Sequence, residues 1–159
     1  MGSQISSLMR PFEQRRLTER EITIARRMFA DDVDWTRVRI VQLPALFFFA
    51  MVPFGRTILY AKLNASRDFA DASIEDQGIF VHELTHVWQA ARGLVLAFAK
   101  LRALGRGAYR YTAKEGAVLR DYNIESQAEI ARHLYEWRLG APDRGSPSRD
   151  WLEDIWARR

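Results

Sequence analysis

His82-Glu83-Leu84-Thr85-His86 is the stretch that decides how this chain is read. Two histidines four apart on a helix project from one face about one turn apart, so both imidazoles can reach a single zinc ion. The glutamate after the first histidine sits beside that metal without having to ligate it. There it can take a proton from a zinc-activated water, the chemistry of zinc-dependent peptide hydrolysis. The chain holds three His and ten Glu in 159 residues. Random placement of that composition produces the pattern with a frequency of roughly 0.3%. Accidental matches across many proteins remain at that frequency, so the flanking sequence has to support the motif.

Working outward, Ser73-Ile74-Glu75-Asp76 reads as a helix start, with Ser73 capping and acids in the first turn. Gly93 is a good residue to end that helix, which is predicted over Ile74 to Arg92. Ile79, Phe80, Leu84, Val87 and Trp88 give it apolar bulk beside the motif. Catalytic zinc takes three protein ligands plus a water. The chain has one further histidine, His133, and no cysteine, so a carboxylate is the natural third ligand. A helix predicted over Ile124 to Leu139, with Asn123 as N-cap, offers Glu125 and Glu129 four apart on one face. In this reading Glu125 binds zinc, and Glu129 accepts a hydrogen bond from a ligating histidine and fixes its tautomer. Glu129 and His133 stay open as alternative third ligands.

The remaining elements follow from capping and periodicity. Thr18-Glu19-Arg20-Glu21 is a capping box opening a helix over Glu19 to Phe29. Val38 to Leu43 alternates and is rich in β-branched residues, so it reads as a strand. Ala45 to Val52 and Arg56 to Lys62 are expected as two more strands, and Asn64 to Ala72 as a loop. Leu94 to Leu104 is expected as a short helix, Tyr109 to Gly116 as irregular chain and Ala141 to Ser148 as a turn region. Asp150 to Arg158 is expected as a terminal helix. Trp88, Trp137, Trp151 and Trp156 read as core or interface bulk. Met1 to Arg16 is expected to be a flexible arm, and residues 1–159 a single domain.

Composition narrows the function classes. Hydrophobic residues make up 48% and charged residues 28%, ordinary values for a soluble globular chain. The lack of cysteine excludes a disulfide framework and a cysteine-ligated metal. The net charge of +4 says little by itself. Its distribution says more: Arg92, Lys100, Arg102, Arg106, Arg110, Lys114 and Arg120 face only Glu115 within their segment. That segment reads first as a solvated face and second as a basic rim to the site. No nucleic-acid partner is expected. Leu43 to Phe54 is the most apolar run, but Pro44 and Pro53 interrupt it and it falls short of the ~20 residues that span a bilayer. A buried strand is expected there, with no transmembrane segment. Met1 to Phe12 lacks the apolar stretch of a secretory leader, so cytoplasmic residence or export by a non-Sec route is expected.

The two glutamate-bearing blocks carry a resemblance. His82-Glu83-Leu84-Thr85-His86 followed by Glu125-Ser126-Gln127-Ala128-Glu129 resembles the gluzincin metallopeptidases, whose thermolysin-type members pair HExxH with ExxxD on a second helix. Phe80 to Gln89 (FVHELTHVWQ) with Tyr122 to Ile130 (YNIESQAEI) more closely resembles small bacterial metallopeptidases. Some of these are associated with secretion-spike proteins or contractile injection systems. The resemblance runs from about Leu17 to Trp137 and is densest in those two blocks. It implies an α+β, minimal zincin-like domain, in which a small sheet packs on the HExxH helix and on a second, Glu-bearing helix. It also implies Glu83 as general base, His82, His86 and Glu125 as zinc ligands, and a secretion-system partner. Two departures stand out. Glu129 replaces the Asp, and the downstream histidine that steadies the oxyanion is absent, which leaves Tyr111 and Tyr122, with Arg110 behind them, for that role.

The expected function is a zinc-dependent metallopeptidase acting on a peptide or protein substrate, with Arg56 to Lys62 as a sheet edge that receives substrate backbone. Two rivals belong to other classes. One is a catalytically silent zinc-binding assembly protein of a secretion or injection system. The other is a delivered toxin whose aromatic run Leu46 to Phe54 meets membranes.

Overall fold

The thirteen residues from Thr18 to Ala30 are built on a buried charge. In the computed structural model, which describes residues 8–44, 50–60, 65–94 and 109–159, Thr18 caps helix α1 (Glu19–Phe29). Its side chain accepts from Glu21 N, while Glu21 Oε2 accepts from Thr18 N at 2.8 Å. The capping box expected from the sequence is therefore present. Glu21 also does more than cap. It is fully buried and takes a two-pronged contact from Arg15 at 2.7 Å on each arm and a third from Phe69 N at 2.9 Å. One carboxylate thus joins strand β1 (Gln14–Arg16), α1 and the short 3-10 turn Phe69–Asp71.

Strands β2 (Arg39–Gln42), β3 (Ala50–Phe54) and β4 (Thr57–Tyr60) complete a four-stranded sheet of order β1-β2-β4-β3. β1 runs antiparallel to β2, β2 parallel to β4, and β3 antiparallel to β4. The β2–β4 register sets Ile40 opposite Ile58 and Gln42 opposite Tyr60, and all four point to the buried face. β3 is an edge strand with a register irregularity between Met51 and Phe54, where Pro53, lacking an N–H, is tolerated. β4 lies inside the sheet, so Arg56 to Lys62 is not the free edge expected of it; that place belongs to β3.

Helices α2 (Ile74–Ala91), α3 (Ile124–Arg138) and α4 (Arg149–Ala157) follow. α2 is buried on every side from Phe80 to Gln89, the pattern of a helix running through a core. At Gly78 it comes too close to α3 for a larger residue. A Cβ there would collide with the Glu136 carboxylate and lie 3.2 Å from Arg132 Cγ. At the other end of α2, Phe29 packs on Trp35, Trp88 and Trp156 with ring centroids 5.4, 6.0 and 5.6 Å away. Each of these indoles donates its N–H to the end of α1 or just beyond: Trp35 to Ala30 O, Trp88 to Asp32 Oδ2 and Trp156 to Met28 O. The apolar side of each ring fills the core while its polar tip is satisfied.

The fold is α+β, a small sheet with four α-helices among the described residues. The expected strands and helices fall within a few residues of those observed. The expected flexible arm does not hold for residues 8–16. Leu8 bridges Ser66, Met9 is buried, and β1 pairs with β2, all secured by the Arg15–Glu21 contact. Alternation was too short there to announce a three-residue strand. Of the strand expected at Ala45 to Val52, residues 45–49 lie outside the described residues, as do 46–49 of the aromatic run. The helix expected at Leu94 to Leu104 lies outside them from 95 onward.

Glu21→Ala leaves the half-buried Arg15 with only backbone acceptors, at Arg16 O and Ser66 O, and takes the acceptor from the N–H of Phe69 and Thr18. It is expected to lower unfolding stability by about 3–5 kcal/mol, because removing one member of a buried pair strands the other. Urea denaturation monitored by tryptophan fluorescence checks this. A loss below about 1 kcal/mol would show that the pair merely decorates the surface.

Candidate metal centre

Helices α2 and α3 each bring an i,i+4 pair to their mutual contact. α2 supplies His82 and His86, and α3, capped by the Asn123 side chain on Ser126 N, supplies Glu125 and Glu129. His82, His86 and Glu125 are all buried, with at most 6% of their surface exposed. Their ligand atoms form a nearly regular triangle. His82 Nε2 to His86 Nε2, His82 Nε2 to Glu125 Oε2, and His86 Nε2 to Glu125 Oε2 are each 3.2 Å. They are the one group of three potential metal-ligating side chains gathered this tightly among the described residues.

The triangle fits zinc. Tetrahedral coordination with bonds near 2.0–2.2 Å sets neighbouring ligand atoms roughly 3.3 Å apart. Two imidazole nitrogens and one carboxylate oxygen are also a donor set that zinc accepts readily. The ring tautomers agree. His82 Nδ1 lies 2.7 Å from Glu129 Oε1, a carboxylate oxygen that can only accept, so Nδ1 carries the proton. His86 Nδ1 lies 2.9 Å from Gln89 Oε1. The Gln89 amide is oriented by its other end, which donates to Ile124 O at 3.1 Å and Gln127 Oε1 at 3.0 Å. Both histidines therefore present a lone pair at Nε2.

Glu83 is 5% exposed, and its Oε2 has no hydrogen-bond partner among the described residues. A buried carboxylate oxygen left unpaired is costly, and such atoms gather where a protein handles water, ions or protons. The charge of Glu83 reaches both His82 and Tyr109. Burial disfavours the charged form of His82, but hydrogen bonds to Glu125 and Glu129 outweigh it and lift the pKa to about 9. Burial likewise works against ionised Glu125 and Glu129, but contacts with His82 and His86 hold Glu125 well below the usual carboxylate range, and the contact with His82 lowers Glu129.

Of the residues singled out in the sequence, the structure gathers His82, Glu83, His86, Glu125 and Glu129. The longer arm of Glu129 spans the distance expected of the shorter Asp. His133 lies outside the triangle, its Nδ1 2.6 Å from the Tyr111 hydroxyl and its Nε2 3.8 Å from Glu129 Oε2. Tyr111 is thereby committed to His133 and stacks on Trp151, while the Tyr122 hydroxyl donates to Thr112 O at 2.9 Å. Two neighbours went unread. Gln89 is recognisable only as a buried polar residue three positions after His86. Tyr109, 59% exposed, sets its ring 6.0 Å from that of His82, with its pKa raised first by burial and then by the charges of Glu125, Glu83 and Glu129. An irregular segment has no periodicity to choose among Tyr109, Tyr111 and Tyr122.

Fold and cluster together define an α+β protein with a buried His-His-Glu group beside a glutamate, one of whose buried oxygens has no partner among the described residues. No family model matches the chain. Over 130 residues, 76% of its length, it is 35% identical to the type VI secretion system spike protein VgrG2b of Pseudomonas aeruginosa strain PAO1, and it spans 13% of that protein. The solved effector domain of Pseudomonas aeruginosa VgrG2b matches with a TM-score of 0.73 at 29% identity, over 91% of this chain and 82% of that one. The chain is thus similar in sequence and fold to an effector domain of a secretion-spike protein. Among the described residues no helix is long and apolar enough to cross a membrane.

Two outcomes are expected for the metal-free protein. Glu129→Gln and Gln89→Leu each weaken zinc binding by about 10–100-fold without abolishing it, since they free a ring and leave the three ligand atoms in place. Titration against a chromophoric chelator measures this, and unchanged affinity in both variants would contradict the assigned tautomers. The second outcome concerns pH. Zinc must displace the proton that His82 holds up to about pH 9. Affinity therefore rises by about tenfold per pH unit below that value and levels off above it. A flat profile from pH 6 to 9 would contradict the raised His82 pKa.

Proposed function

We propose that this chain is an effector domain delivered with a type VI secretion spike, and that its chemistry is zinc-dependent hydrolysis of peptide bonds. The delivery half rests on the likeness to the VgrG2b effector domain. One observation carries the chemical half: the 3.2 Å triangle of His82, His86 and Glu125 lies beside Glu83, whose buried Oε2 is unpartnered. A purely structural metal would need the triangle but not that acid. This arrangement, with Glu129 behind His82, is also what the likeness to gluzincins calls for.

When bound, held by His82, His86 and Glu125, zinc supplies a Lewis-acid charge that lowers the pKa of a nearby water to about 7. Glu83 accepts the proton of the attacking water as it closes on the peptide carbonyl, then passes that proton to the leaving amine. Its unpaired oxygen leaves it free for both transfers. Tyr109 is the side chain best placed to steady the developing oxyanion. Its phenol stays protonated because partial burial, and then the charges of Glu125, Glu83 and Glu129, oppose its ionisation, and its exposed part leaves it room to meet substrate. Glu129 and Gln89 keep the two imidazoles turned correctly throughout.

Metal analysis combined with cleavage of a broad peptide library tests the reading. Wild type and Glu83→Gln should both hold zinc, with cleavage by wild type alone. Tyr109→Phe should lower kcat by about 10²–10³-fold with little change in KM, the signature of a lost oxyanion donor. Equal zinc with no cleavage by either of the first two would instead support the catalytically silent assembly protein. No bound metal at all would end both readings. Delivery is tested separately, by toxicity of the chain to recipient bacteria when fused to a spike protein and loss of that toxicity in Glu83→Gln.

A further inference from the structure

A cavity lies behind the metal cluster. It occupies about 420 Å³ where the end of α2 meets the start of α3 and the end of α4, and four arginines line it: Arg92, Arg120, Arg158 and Arg159. One wall is Gln127, which also accepts from Gln89, so the cavity is separated from His86 by those two amides.

The charge in this cavity is not balanced from within. Every acidic residue of the chain is among the described residues. Among them, only Asp154 forms an ion pair with any of the four arginines, at Arg158. Asp32 attracts Arg159 from a distance but is itself engaged by the Trp88 indole. Arg92 is held in place by stacking over Trp88, with its guanidinium carbon 4.7 Å from the ring centroid, and Arg159 likewise lies 5.0 Å over Trp156. Both guanidinium groups are thus braced by aromatic faces; Arg159 Nη1 also donates to Trp156 O at 3.0 Å, and the remaining N–H groups can meet an acceptor. Burial lowers the Arg159 pKa; attraction to Asp32 offsets part of this, and repulsion from Arg138 and Arg92 adds to it.

We propose that this cavity binds a phosphomonoester. Several guanidinium groups facing one space call for more than a single negative charge and for several acceptor oxygens. A phosphoryl group offers a charge of about −1.5 to −2 and three such oxygens, where a carboxylate offers one charge and two. The cavity is also larger than a phosphate ion needs, and Leu94, Val118 and Leu119 make the rest of its wall apolar. The ligand therefore carries an apolar body next to its phosphate. Such a group belongs either to a soluble metabolite or to the headgroup of an anionic lipid, and the two sources are separable by experiment.

Isothermal titration calorimetry of the full chain with phenyl phosphate, inorganic phosphate and benzoate tests this, with Arg92→Gln/Arg120→Gln and Arg92→Lys/Arg120→Lys alongside wild type. Flotation with phosphatidylcholine vesicles, plain or containing phosphatidic acid, tests the lipid source. Phenyl phosphate should bind wild type about tenfold or more tighter than benzoate or inorganic phosphate. The Gln pair should lose about tenfold or more, and the Lys pair should fall between. Arginine Nε–H resonances of wild type should shift on adding phenyl phosphate, a readout that needs no variant to fold. Binding of phosphatidic acid vesicles that the Gln pair loses assigns the lipid source, and phenyl phosphate binding without vesicle binding assigns the soluble one. The proposal is overturned if neither phosphate source binds saturably, if benzoate binds equally well, or if the Gln pair binds as wild type does.

Discussion

α3 holds His82 by both ring nitrogens, with Nδ1 2.7 Å from Glu129 and Nε2 3.2 Å from Glu125. This double contact requires two i,i+4 pairs to meet across a helix crossing at one particular rotation of each helix. Gly78 permits the close approach of the helices, and the Phe29–Trp88–Trp156 cluster fixes the far end of α2. A turn of either helix by one residue would part His82 from both glutamates. The apolar core therefore serves the site chiefly by setting the angle of two helices.

The cost of gathering these groups is electrostatic. Glu83 and Glu125 are nearly sealed from water, with Glu129 close behind, and the two imidazoles lie against Glu125 and can carry a positive charge there. Without metal, a proton on His82 supplies that charge, which is why its pKa stands at about 9 despite burial. A divalent cation held by the same atoms would take over that role. The proton then leaves, and Glu83 retains an oxygen with no competing partner among the described residues. Site and stability are linked by this exchange, because the same carboxylates that would bind a cation are poorly tolerated without one.

Much of the frame was legible because it rests on local rules. The capping residues Thr18, Ser73 and Asn123 announced three helices whose first residues the structure places directly after them. β2 followed from alternation, and a contact between Glu129 and one of the two histidines followed from its spacing to Glu125; that the histidine is His82 did not. Other features had no local signature. Glu21 looked like half of a capping box, and only Arg15 and Phe69, brought in from other segments, make it a buried hub. The parallel pairing of β2 with β4 pushed β3 to the edge, an outcome that strand propensity does not address. Arg92 and Arg120 bound the basic segment that the sequence marks, but only the fold brings Arg158 and Arg159 to the same cavity.

The sequence by itself determined the chemistry available: two imidazoles one turn apart, an acid between them, and two more acids with the same helical spacing further along. Those facts depend only on helix periodicity and on the residues that start and stop helices. Tertiary structure alone decided which atoms converge. It brought Glu125 into the triangle and left His133 with Tyr111, set Gln89 against His86, and put Tyr109 rather than Tyr111 or Tyr122 beside His82. The reason is physical. A helix fixes the direction of its side chains within itself, but the rotation of one helix on another, and the path of an irregular segment over both, are set by long-range packing that no short window of sequence contains.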